Sequence, residues 1–267
     1  MTEVTLSVVS TGEAAKLPAC LTAIAQQRFA GRLRVVLVRN GVDDGSDALT
    51  RTIIPDASIL IQNEKRGFAE NHNAALRDAR SEFGMVLNPD VVLSEGCVAA
   101  FVDAMKGRRN CGMAGPLMQY PDGSAQPSAR RFPRVAGTIV RRTPLRRLAE
   151  RTVMSSAHYL PPPDSDRMVD WMLGAVLFVR LDAWKSLGGF DEGFRPLYVE
   201  DIDLAWRMWS AGWEVWQVPA AMAVHEHQAV TDRVFFSRRT MWHARGMLRF
   251  LRKHPGALFG PERPRPA

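Results

Sequence analysis

Short apolar runs alternate with amphipathic stretches along the first 90 residues of the chain. Apolar, β-branched runs predict four strands, at TLSVVS (5–10), LRVVLVRNG (33–41), SILIQN (58–63) and FGMVLNPD (83–90). Helical patterns separate them, at LPACLTAIAQQ (17–27), DDGSDALTRTI (43–53) and GFAENHNAALRDAR (67–80). Because strands that alternate with helices at this spacing form βαβ units, the pattern predicts an α/β, Rossmann-like fold with a mostly parallel central sheet flanked by helices.

The pattern changes after residue 115. YPDGS (120–124) predicts a hairpin tip, and residues 125–168, which are rich in Arg, Pro and Ser, predict a long basic excursion. Regular elements return as strands at 168–180, 213–219 and 222–227 and as helices at 182–188, 197–213 and 232–254. We find no repeat or linker, so we predict one domain over 1–267, in three parts: residues 1–115, residues 116–230, and a basic C-terminal helix and tail (231–267).

Composition indicates a chain that buries a substantial core in a reducing compartment. It has 267 residues, 46% of them hydrophobic, and its cysteines (Cys20, Cys97, Cys111) are scattered without zinc or disulfide spacing. The start MTEVTLSVVSTGE lacks the basic and apolar regions of a signal peptide, and no apolar run is long enough for a transmembrane helix. We therefore expect a cytoplasmic protein that is soluble or peripherally attached to a membrane.

Positive charge is concentrated in two segments. The chain has a formal net charge of +7, which attracts anions. Residues 130–151 hold eight arginines against the single acid Glu150, and residues 233–253 hold seven Arg or Lys and no acid. Each segment is either a solvated surface or a docking site for an anionic membrane or a lipid-diphosphate acceptor. The aromatic residues interleaved in the second segment fit an interfacial helix and equally fit packing against the core: Phe235, Phe236, Trp242 and Phe250.

Polar residues collect where the predicted strands end, which is the edge at which parallel sheets bind ligands. These loops begin at Ser10-Thr11, Arg39-Asn40, Asn63 and Asn88-Pro89-Asp90. Asp90 is placed to hold a hard divalent cation through oxygen, or it is a turn or helix-capping residue. His225 and His227 follow an apolar strand and are either metal ligands or buried, hydrogen-bonded histidines.

Three acids stand at the start of the helix predicted within LYVEDIDLAWRMWSAGW (197–213), namely Glu200, Asp201 and Asp203. The partial positive charge of a helix N-terminus favours acids there without any function. The same position favours an ionised carboxylate, which is the state in which a general base begins its work. The residues alone leave both interpretations open.

The order of the motifs is more specific than any one of them. They are SVVSTGE, VVLVRNGVDDGS, NEKRGFAENHNAAL, VLNPDVVL, GPLMQYPDGSAQPSARRFP, DWMLGAVLFVRLDAWKSLGGFDEGF, YVEDIDLAWRMWSAGWEVWQVP and AVHEH. In this order, over about residues 5–230, the chain resembles glycosyltransferase family 2, with the GT-A fold, and most closely its bacterial rhamnosyltransferase-like branch. The resemblance implies a single-domain glycosyltransferase, with a nucleotide-sugar-binding half (1–115) and an acceptor and catalytic half (116–230).

The resemblance also implies roles for individual residues. Asp90 matches the last acid of the metal-binding D-x-D element, with Asn88 where other members have an acid, and His225 matches a histidine that completes the metal site. Asp201, paired with Glu200, matches the catalytic base. Five residues fall in segments that line the nucleotide pocket: Thr11, Glu13, Asn40, Gly67 and Phe68. Arg39 departs from the family, which usually has an Asp that contacts the nucleobase.

The resemblance implies an inverting enzyme that needs Mg²⁺ or Mn²⁺. Its donor would be dTDP-rhamnose or a UDP- or GDP-sugar, and its acceptor a glycan or lipid-linked hydroxyl in cell-surface polysaccharide synthesis at the inner face of the plasma membrane. A nucleotidyltransferase stays an alternative, although STGEAAK is a poor match to its Gly-rich signature. A catalytically degenerate nucleotide-sugar-binding protein stays another, because of Arg39 and Asn88. We expect no nucleic-acid partner, since most tryptophans lie away from the arginine-rich loop.

Overall fold

Four parallel strands form one side of the central sheet in the computed structural model, which describes residues 1–132, 159–226 and 238–258. They are β1 (Thr2–Ser10), β2 (Gly31–Asn40), β3 (Ser58–Gln62) and β4 (Phe83–Leu87). Their spatial order is β3-β2-β1-β4, and all three pairings are parallel. The parallel α/β half predicted from the alternation of apolar runs and helices is thereby confirmed.

The other side of the sheet has mixed directions. It is formed by β5 (Val91–Leu93), β6 (Cys111–Gln119), β11 (Val176–Arg180) and β12 (Glu214–His225). β11 runs antiparallel between β4 and β6, β12 runs parallel to β6, and β5 closes the edge antiparallel to β12. Short strands complete the set: β7 (Ala125–Gln126), β8 (Ala129–Arg130), β9 (Arg167–Met168) and β10 (Trp171–Met172). Strands from both predicted halves therefore share one sheet.

Seven α-helices lie in the described ranges. They are α1 (Leu17–Ala25), α2 (Ser46–Ile53), α3 (Phe68–Leu76), α4 (Cys97–Lys106), α5 (Leu181–Ser186), α6 (Glu200–Ser210) and α7 (Arg238–Lys253). Alternate residues of the strands point to opposite faces of the sheet and belong to two hydrophobic cores. Phe178 belongs to the core that contains Leu21 and Phe101, whereas Leu177 belongs to the core that contains Leu76 and Leu204. Helices α1 and α4 thus cover one face of the sheet, and α3, α5, α6 and α7 cover the other. No helix of the described ranges is long and apolar enough to cross a membrane.

The second half of the chain departs from the prediction in three places. The two strands predicted at 213–219 and 222–227 are one strand, β12, whose pairing with β6 shifts register between Val218 and Met222. Pro219, which donates no hydrogen bond, lies in this irregular stretch and was expected to end a strand. The strand predicted at 168–180 is divided into β9, β10 and β11. Residues 91–119, which carried no prediction, form β5, α4 and β6.

The predicted hairpin tip is confirmed, because Tyr120 N donates to Ser124 O at 2.8 Å where β6 turns into β7. The C-terminal helix predicted at 232–254 is α7 over Arg238–Lys253. Most of the basic excursion, His227, Phe235 and Phe236 lie outside the described residues.

Candidate active site

Asn40, at the end of β2, ties together three loops of the predicted nucleotide edge. Its Nδ2 donates to Thr11 Oγ1 and to Arg66 O, both at 3.0 Å, and Arg66 N donates to its Oδ1 at 2.7 Å. The Asn40 side chain is buried, and the three bonds are partly shielded from water. Two residues of the predicted nucleotide pocket, Thr11 and Asn40, are therefore in direct contact. A third, Gly67, directly follows Arg66 in the chain.

The start of α3 is fastened to the loop that leads into α6. Gly67 N donates to Glu70 Oε2 at 2.9 Å, which closes a capping box, and Phe68 N donates to Pro196 O at 3.0 Å. A Cβ at position 67 would lie 3.0 Å from Pro196 O, so the two backbones approach closely because residue 67 is glycine. The predicted nucleotide segment and the segment before Glu200 are thus neighbours.

Asp90 and His225, the two predicted metal ligands, face each other. Asp90 Oδ1 lies 3.4 Å from His225 Nε2, and the ring's Nδ1 lies 3.0 Å from Gln126 Oε1. Lys16 Nζ, which bonds Glu13 Oε1 at 2.9 Å, lies 3.6 Å from the other oxygen of Asp90. Burial opposes ionisation of Asp90, but His225 and Lys16 outweigh it and hold the pKa of Asp90 below its usual value. The carboxylate is therefore ionised at neutral pH.

The Asp90 pair has the chemistry of a partial metal site. Asp90 Oδ1 is buried and accepts no hydrogen bond from the described residues, and an imidazole nitrogen faces it. Those residues contain no group of three or more His, Cys, Asp or Glu placed to hold an ion. Mg²⁺ is commonly held by one or two carboxylates with substrate phosphates and water completing its shell, so two protein ligands fit an ion that arrives with a diphosphate.

Asp201 sits at the first turn of α6 with both carboxylate oxygens bonded to backbone amides. Gly174 N donates to Oδ2 at 2.9 Å and Ile202 N donates to Oδ1 at 2.8 Å. Burial raises the pKa of Asp201 above its usual value, against the opposing effect of these two amides and of the Arg130 charge. Arg130 itself lies over the Trp171 ring, 4.9 Å from its centroid. The amides fix the direction in which the carboxylate points.

Glu200, next to Asp201, is only 5% exposed, and its Oε2 has no hydrogen-bond partner among the described residues. Burial, followed by repulsion from Asp201, raises the pKa of Glu200 to about 8. Glu200 and Asp201 therefore titrate as a coupled pair, in which burial and the repulsion between two adjacent carboxylates make the second ionisation harder than that of an isolated acid. A pair of adjacent carboxyls that keeps one proton is an arrangement suited to acid–base chemistry.

A short chain of contacts connects the two predicted centres. Asp201 binds Gly174 N, and the next residue, Ala175, accepts the N–H of Asn88 at 2.9 Å. Asp90 follows Asn88 by two residues, and Glu226 N donates to Asp90 O at 3.0 Å. The segments that carry Asp90 and Asp201 are thus hydrogen-bonded to each other where β4 ends and β11 begins.

The residues just before α6 have an unusual backbone. Tyr198 and Val199 have φ of 85° and 80°, a region that costs a β-branched residue about 1–3 kcal/mol. Helix α7 packs directly on them, because a Cβ at Gly246 would lie 2.9 Å from both Tyr198 O and Val199 Cγ2. The glycine inside α7 therefore allows the helix to hold the segment from which Glu200 and Asp201 project.

Asp203, the third acid of α6, is a structural anchor. It is fully buried, with Arg207 Nε at 2.7 Å and both Lys253 Nζ and His254 Nε2 at 2.8 Å. Despite burial, His254, Arg207 and Lys253 hold the pKa of Asp203 below its usual value. This buried cluster fastens the end of α7 to α6. Sequence reasoning missed it, since the partners lie about 50 residues apart and no motif links them.

The position that departs from the family pattern, Arg39, is engaged in ion pairs. Its Nη1 lies 2.7 Å from Asp43 and 3.5 Å from Asp47. The acid nearest the end of β1 is instead Asp44, whose Oδ2 accepts the Ser10 hydroxyl at 2.7 Å. Desolvation by burial would raise the pKa of Asp44, but hydrogen bonds from Ser46 and Ser10 lower it by more. Asp44 and Lys16 thus lie beside candidate site residues, and sequence reasoning did not single them out, although Asp44 belongs to a quoted motif and Lys16 closely follows one.

Comparison with known proteins gives relatives of one kind. The model of the family described as Glycosyltransferase like family 2 matches residues 2–245. The N-acetylglucosaminyl-diphospho-decaprenol L-rhamnosyltransferase of Mycobacterium tuberculosis is 31% identical over 248 residues, which cover 86% of this chain and 78% of that protein. Rhamnosyltransferase WbbL of Escherichia coli is 28% identical over 193 residues, covering 69% of this chain and 70% of WbbL.

Solved structures share the fold at low identity. GalNAc-T7 with UDP, GalNAc and Mn²⁺ has a TM-score of 0.68 at 12% identity, and the match covers 94% of this chain but 48% of that one. Mannosyltransferase PcManGT from Pyrobaculum calidifontis, in complex with GDP-Man and Mn²⁺, has a TM-score of 0.62 at 19% identity, covering 95% and 64%. Both neighbours are GT-A glycosyltransferases. The chain is therefore a glycosyltransferase of the GT-A fold and belongs to glycosyltransferase family 2.

Proposed function

We propose that this protein transfers a sugar, L-rhamnose, from a nucleoside-diphosphate donor to a hydroxyl of a lipid-linked glycan, with inversion of the anomeric centre. The observation that supports the proposal is the pair of hydrogen bonds Asn88 N to Ala175 O and Gly174 N to Asp201 Oδ2, since they hold together the segments whose Asp90 and Asp201 would serve as cation ligand and base. The sugar is suggested by the names of both curated relatives, and the lipid-linked acceptor by the name of the Mycobacterium tuberculosis relative. The biological setting would be the synthesis of a cell-surface polysaccharide.

The donor half of the proposed site is residues 1–115, within one domain over 1–267. The nucleotide would lie along the edge formed by six residues: Thr11, Glu13, Asn40, Gly67, Phe68 and Asn88. Lys16 adds a cation beside Asp90, where a diphosphate would come. dTDP-rhamnose is the donor that we propose, with UDP- and GDP-sugars as the competitors to test, because solved neighbours hold UDP or GDP-Man.

Asp90 and His225 would hold the Mg²⁺ or Mn²⁺ ion, with phosphate oxygens and water as its remaining ligands. When bound, such an ion neutralises the charge that develops on the departing diphosphate. The ionised state of Asp90 and the imidazole nitrogen 3.4 Å from it support this assignment. Manganese in two GT-A neighbours supports it further.

Asp201 would take the proton from the acceptor hydroxyl as that oxygen attacks the anomeric carbon. A base works best when its pKa is near the working pH, and burial moves the pKa of Asp201 upward from the ordinary carboxyl range. Glu200, buried beside Asp201 and with its pKa raised to about 8, would act as the second carboxyl of the pair and set the ionisation of Asp201 without touching the substrate. One base facing the leaving group supports a single displacement and hence inversion.

The acceptor half would be residues 116–230, with the basic helix and tail at 231–267 beside it. A lipid-linked acceptor would place the enzyme in the cytoplasm at the inner face of the plasma membrane. The exposed arginines of α7 would add attraction to anionic lipid there, at about 1 kcal/mol for each residue near the surface.

The proposal is tested by a thermal-shift panel of dTDP-rhamnose, dTDP-glucose, UDP-glucose and GDP-mannose, each with Mn²⁺ and again with EDTA. We expect dTDP-rhamnose with Mn²⁺ to raise the melting temperature most, because at equal concentration the ligand that binds the folded state most tightly stabilises it most. The strongest donor is then supplied with a lipid-linked N-acetylglucosamine acceptor, and the product's anomeric configuration is read by NMR. Stabilisation by none of the four nucleotide sugars would refute the donor assignment.

Replacing Asp90 tests the metal assignment separately. We expect Asp90→Ala to weaken donor binding by about tenfold or more in Mn²⁺, because the change removes the carboxylate that would hold the ion. Donor titration calorimetry with Mn²⁺ and with EDTA measures this. Asp78→Ala, at an exposed position away from the site, is the matched control. If the wild type binds donor equally well with and without chelator, the metal site is wrong.

A further inference from the structure

A groove of about 600 Å³ lies between α7 and the segment 191–198 that leads into α6. Its lining is strongly cationic, with five basic side chains against the single acid Asp191: Arg195, Arg245, Arg249, Arg252 and Lys253. Aromatic and aliphatic side chains stand among these cations, namely Phe194, Tyr198, Trp242 and Leu248. The groove thus combines anion attraction with apolar surface in one place.

Part of this charge is already compensated. Arg249 Nη2 bonds both oxygens of Asp191, at 2.9 and 3.0 Å, and Lys253 Nζ bonds Asp191 at 2.7 Å and Asp203 at 2.8 Å. Gly193 permits the arrangement, because a Cβ there would lie 2.1 Å from Arg249 Nη2. Arg195 is paired with Glu70. These contacts hold the walls of the groove together.

Arg245 and Arg252 are different, since neither has a carboxylate within ion-pair distance in the ranges that the structure describes. Both are exposed, and a spacing of seven residues puts them two turns apart on the same face of α7. A guanidinium binds phosphate oxygens through two parallel N–H donors. The groove therefore offers two free phosphate-binding groups beside a strip of aromatic surface.

The groove also adjoins the proposed base. Tyr198 lines it and precedes Asp201 by three residues, and Gly246, which also lines it, packs against Tyr198 O. A molecule whose phosphates lie at Arg245 and Arg252 would have its sugar end close to the start of α6. That geometry matches an acceptor in which a sugar, a diphosphate and a hydrocarbon chain follow one another.

We propose that this groove binds the lipid diphosphate portion of the acceptor, with Arg245 and Arg252 contacting the diphosphate and Phe194, Tyr198, Trp242 and Leu248 contacting the first part of the hydrocarbon chain. The proposal rests on the function proposed above and specifies where its acceptor lies. It differs from general attraction to an anionic membrane, because it requires a diphosphate and a hydrocarbon chain in the same molecule and assigns them to particular side chains.

The probe is farnesyl diphosphate, titrated calorimetrically into the full chain in EDTA so that metal-dependent binding at the donor edge is suppressed. We expect Arg245→Ala/Arg252→Ala to weaken its binding by about tenfold or more, since two charge-assisted contacts are lost. The control pair Arg109→Ala/Arg238→Ala removes the same charge from exposed positions outside the groove and should bind as the wild type does. Unchanged melting temperatures show that all the variants are folded.

Two further measurements distinguish binding in the groove from binding of a lone diphosphate, a lone hydrocarbon chain or a membrane surface. Farnesol and inorganic pyrophosphate should each bind more weakly than farnesyl diphosphate, because each has only one of the two features. Vesicles of phosphatidylglycerol without any diphosphate lipid should bind the groove pair and the control pair equally. If the groove pair keeps its affinity for farnesyl diphosphate, or loses only vesicle binding, the proposal is overturned.

The donor panel keeps this inference distinct from the proposed function. The groove pair should retain the full donor-induced rise in melting temperature, because neither arginine lies at the donor edge. If no nucleotide sugar stabilises the wild type but farnesyl diphosphate binding still depends on Arg245 and Arg252, the proposed function is refuted and the lipid-diphosphate site stands. If donor binding is observed and the two arginines have no effect, only the groove assignment is refuted.

Discussion

Asp201→Asn is expected to lower kcat by about 10²- to 10⁴-fold while donor-induced stabilisation persists, which is the range that a positioned general base contributes. The amide side chain has nearly the shape of the carboxylate, and it can still accept one of the two backbone hydrogen bonds, from Gly174 or from Ile202. It cannot take a proton from an attacking hydroxyl. The loss should therefore fall on the chemical step and leave donor affinity within a few-fold of the wild type.

Single-turnover rates and donor titrations, run side by side, measure the two quantities. Asp182→Asn is the matched control, an identical change at an exposed position of α5. The wild-type rate should also fall as the pH drops through the pKa of Asp201, because the protonated acid is not a base, and burial places that fall above the ordinary carboxyl range. Turnover that is unchanged in Asp201→Asn would remove this residue from the mechanism.

The donor edge could be predicted from the sequence because its geometry follows from secondary structure. Parallel strands end at one edge of a sheet, so the positions of Thr11, Asn40 and Asp90 after β1, β2 and β4 were enough to expect them together. The contact between Asn40 and Thr11 and the position of His225 beside Asp90 agree with that expectation. Each is set by where a strand stops, which apolar runs indicate directly.

The other half of the site depends on contacts that no local pattern specifies. Gly174 fell inside a predicted strand, yet the chain leaves the sheet there and its N–H points to Asp201, 27 residues away. Pro219 suggested a strand end, whereas the sheet absorbs it in an irregular stretch of β12. The packing of Gly246 on Tyr198 and Val199 could not be predicted either. A glycine in an amphipathic helix does not by itself indicate which distant segment packs against it.

These contacts also change the interpretation of the three acids in α6. Burial raises the pKa of both Glu200 and Asp201, and their adjacency opposes the ionisation of both at once, so the helix N-terminus is only one influence on their state. Asp203 points away from them into α7. The basic C-terminal helix therefore has a structural face, which braces the strained residues before the base, and an exposed face, to which we assign the acceptor groove.

Asp203→Asn is expected to lower the free energy of unfolding by about 3 kcal/mol at pH 7, because removing one charge from a buried ion-pair cluster leaves its partners uncompensated. The amide keeps one accepting oxygen, so some of the bonds from Arg207, Lys253 and His254 would be lost and the remaining ones would be weaker, since the acceptor is no longer charged. Since these bonds fasten α7 over Tyr198 and Val199, kcat should fall as well, even though Asp203 touches no substrate. Asp182→Asn, with its exposed carboxylate, is again the control.

The dependence of this effect on pH distinguishes loss of charge from loss of packing. Burial alone would raise the pKa of Asp203, but His254, Arg207 and Lys253 lower it by more. The folded-state pKa of Asp203 therefore lies below the unfolded value of about 3.9. The carboxylate then contributes its full stabilisation above pH of about 4, and this contribution disappears as the pH falls through the folded pKa. Urea unfolding at several pH values should show the wild type and Asp203→Asn separated at neutral pH and converging in acid. A separation that stays constant down to pH of about 3 would mean that the carboxylate's charge is not what fastens α7 to the catalytic segment.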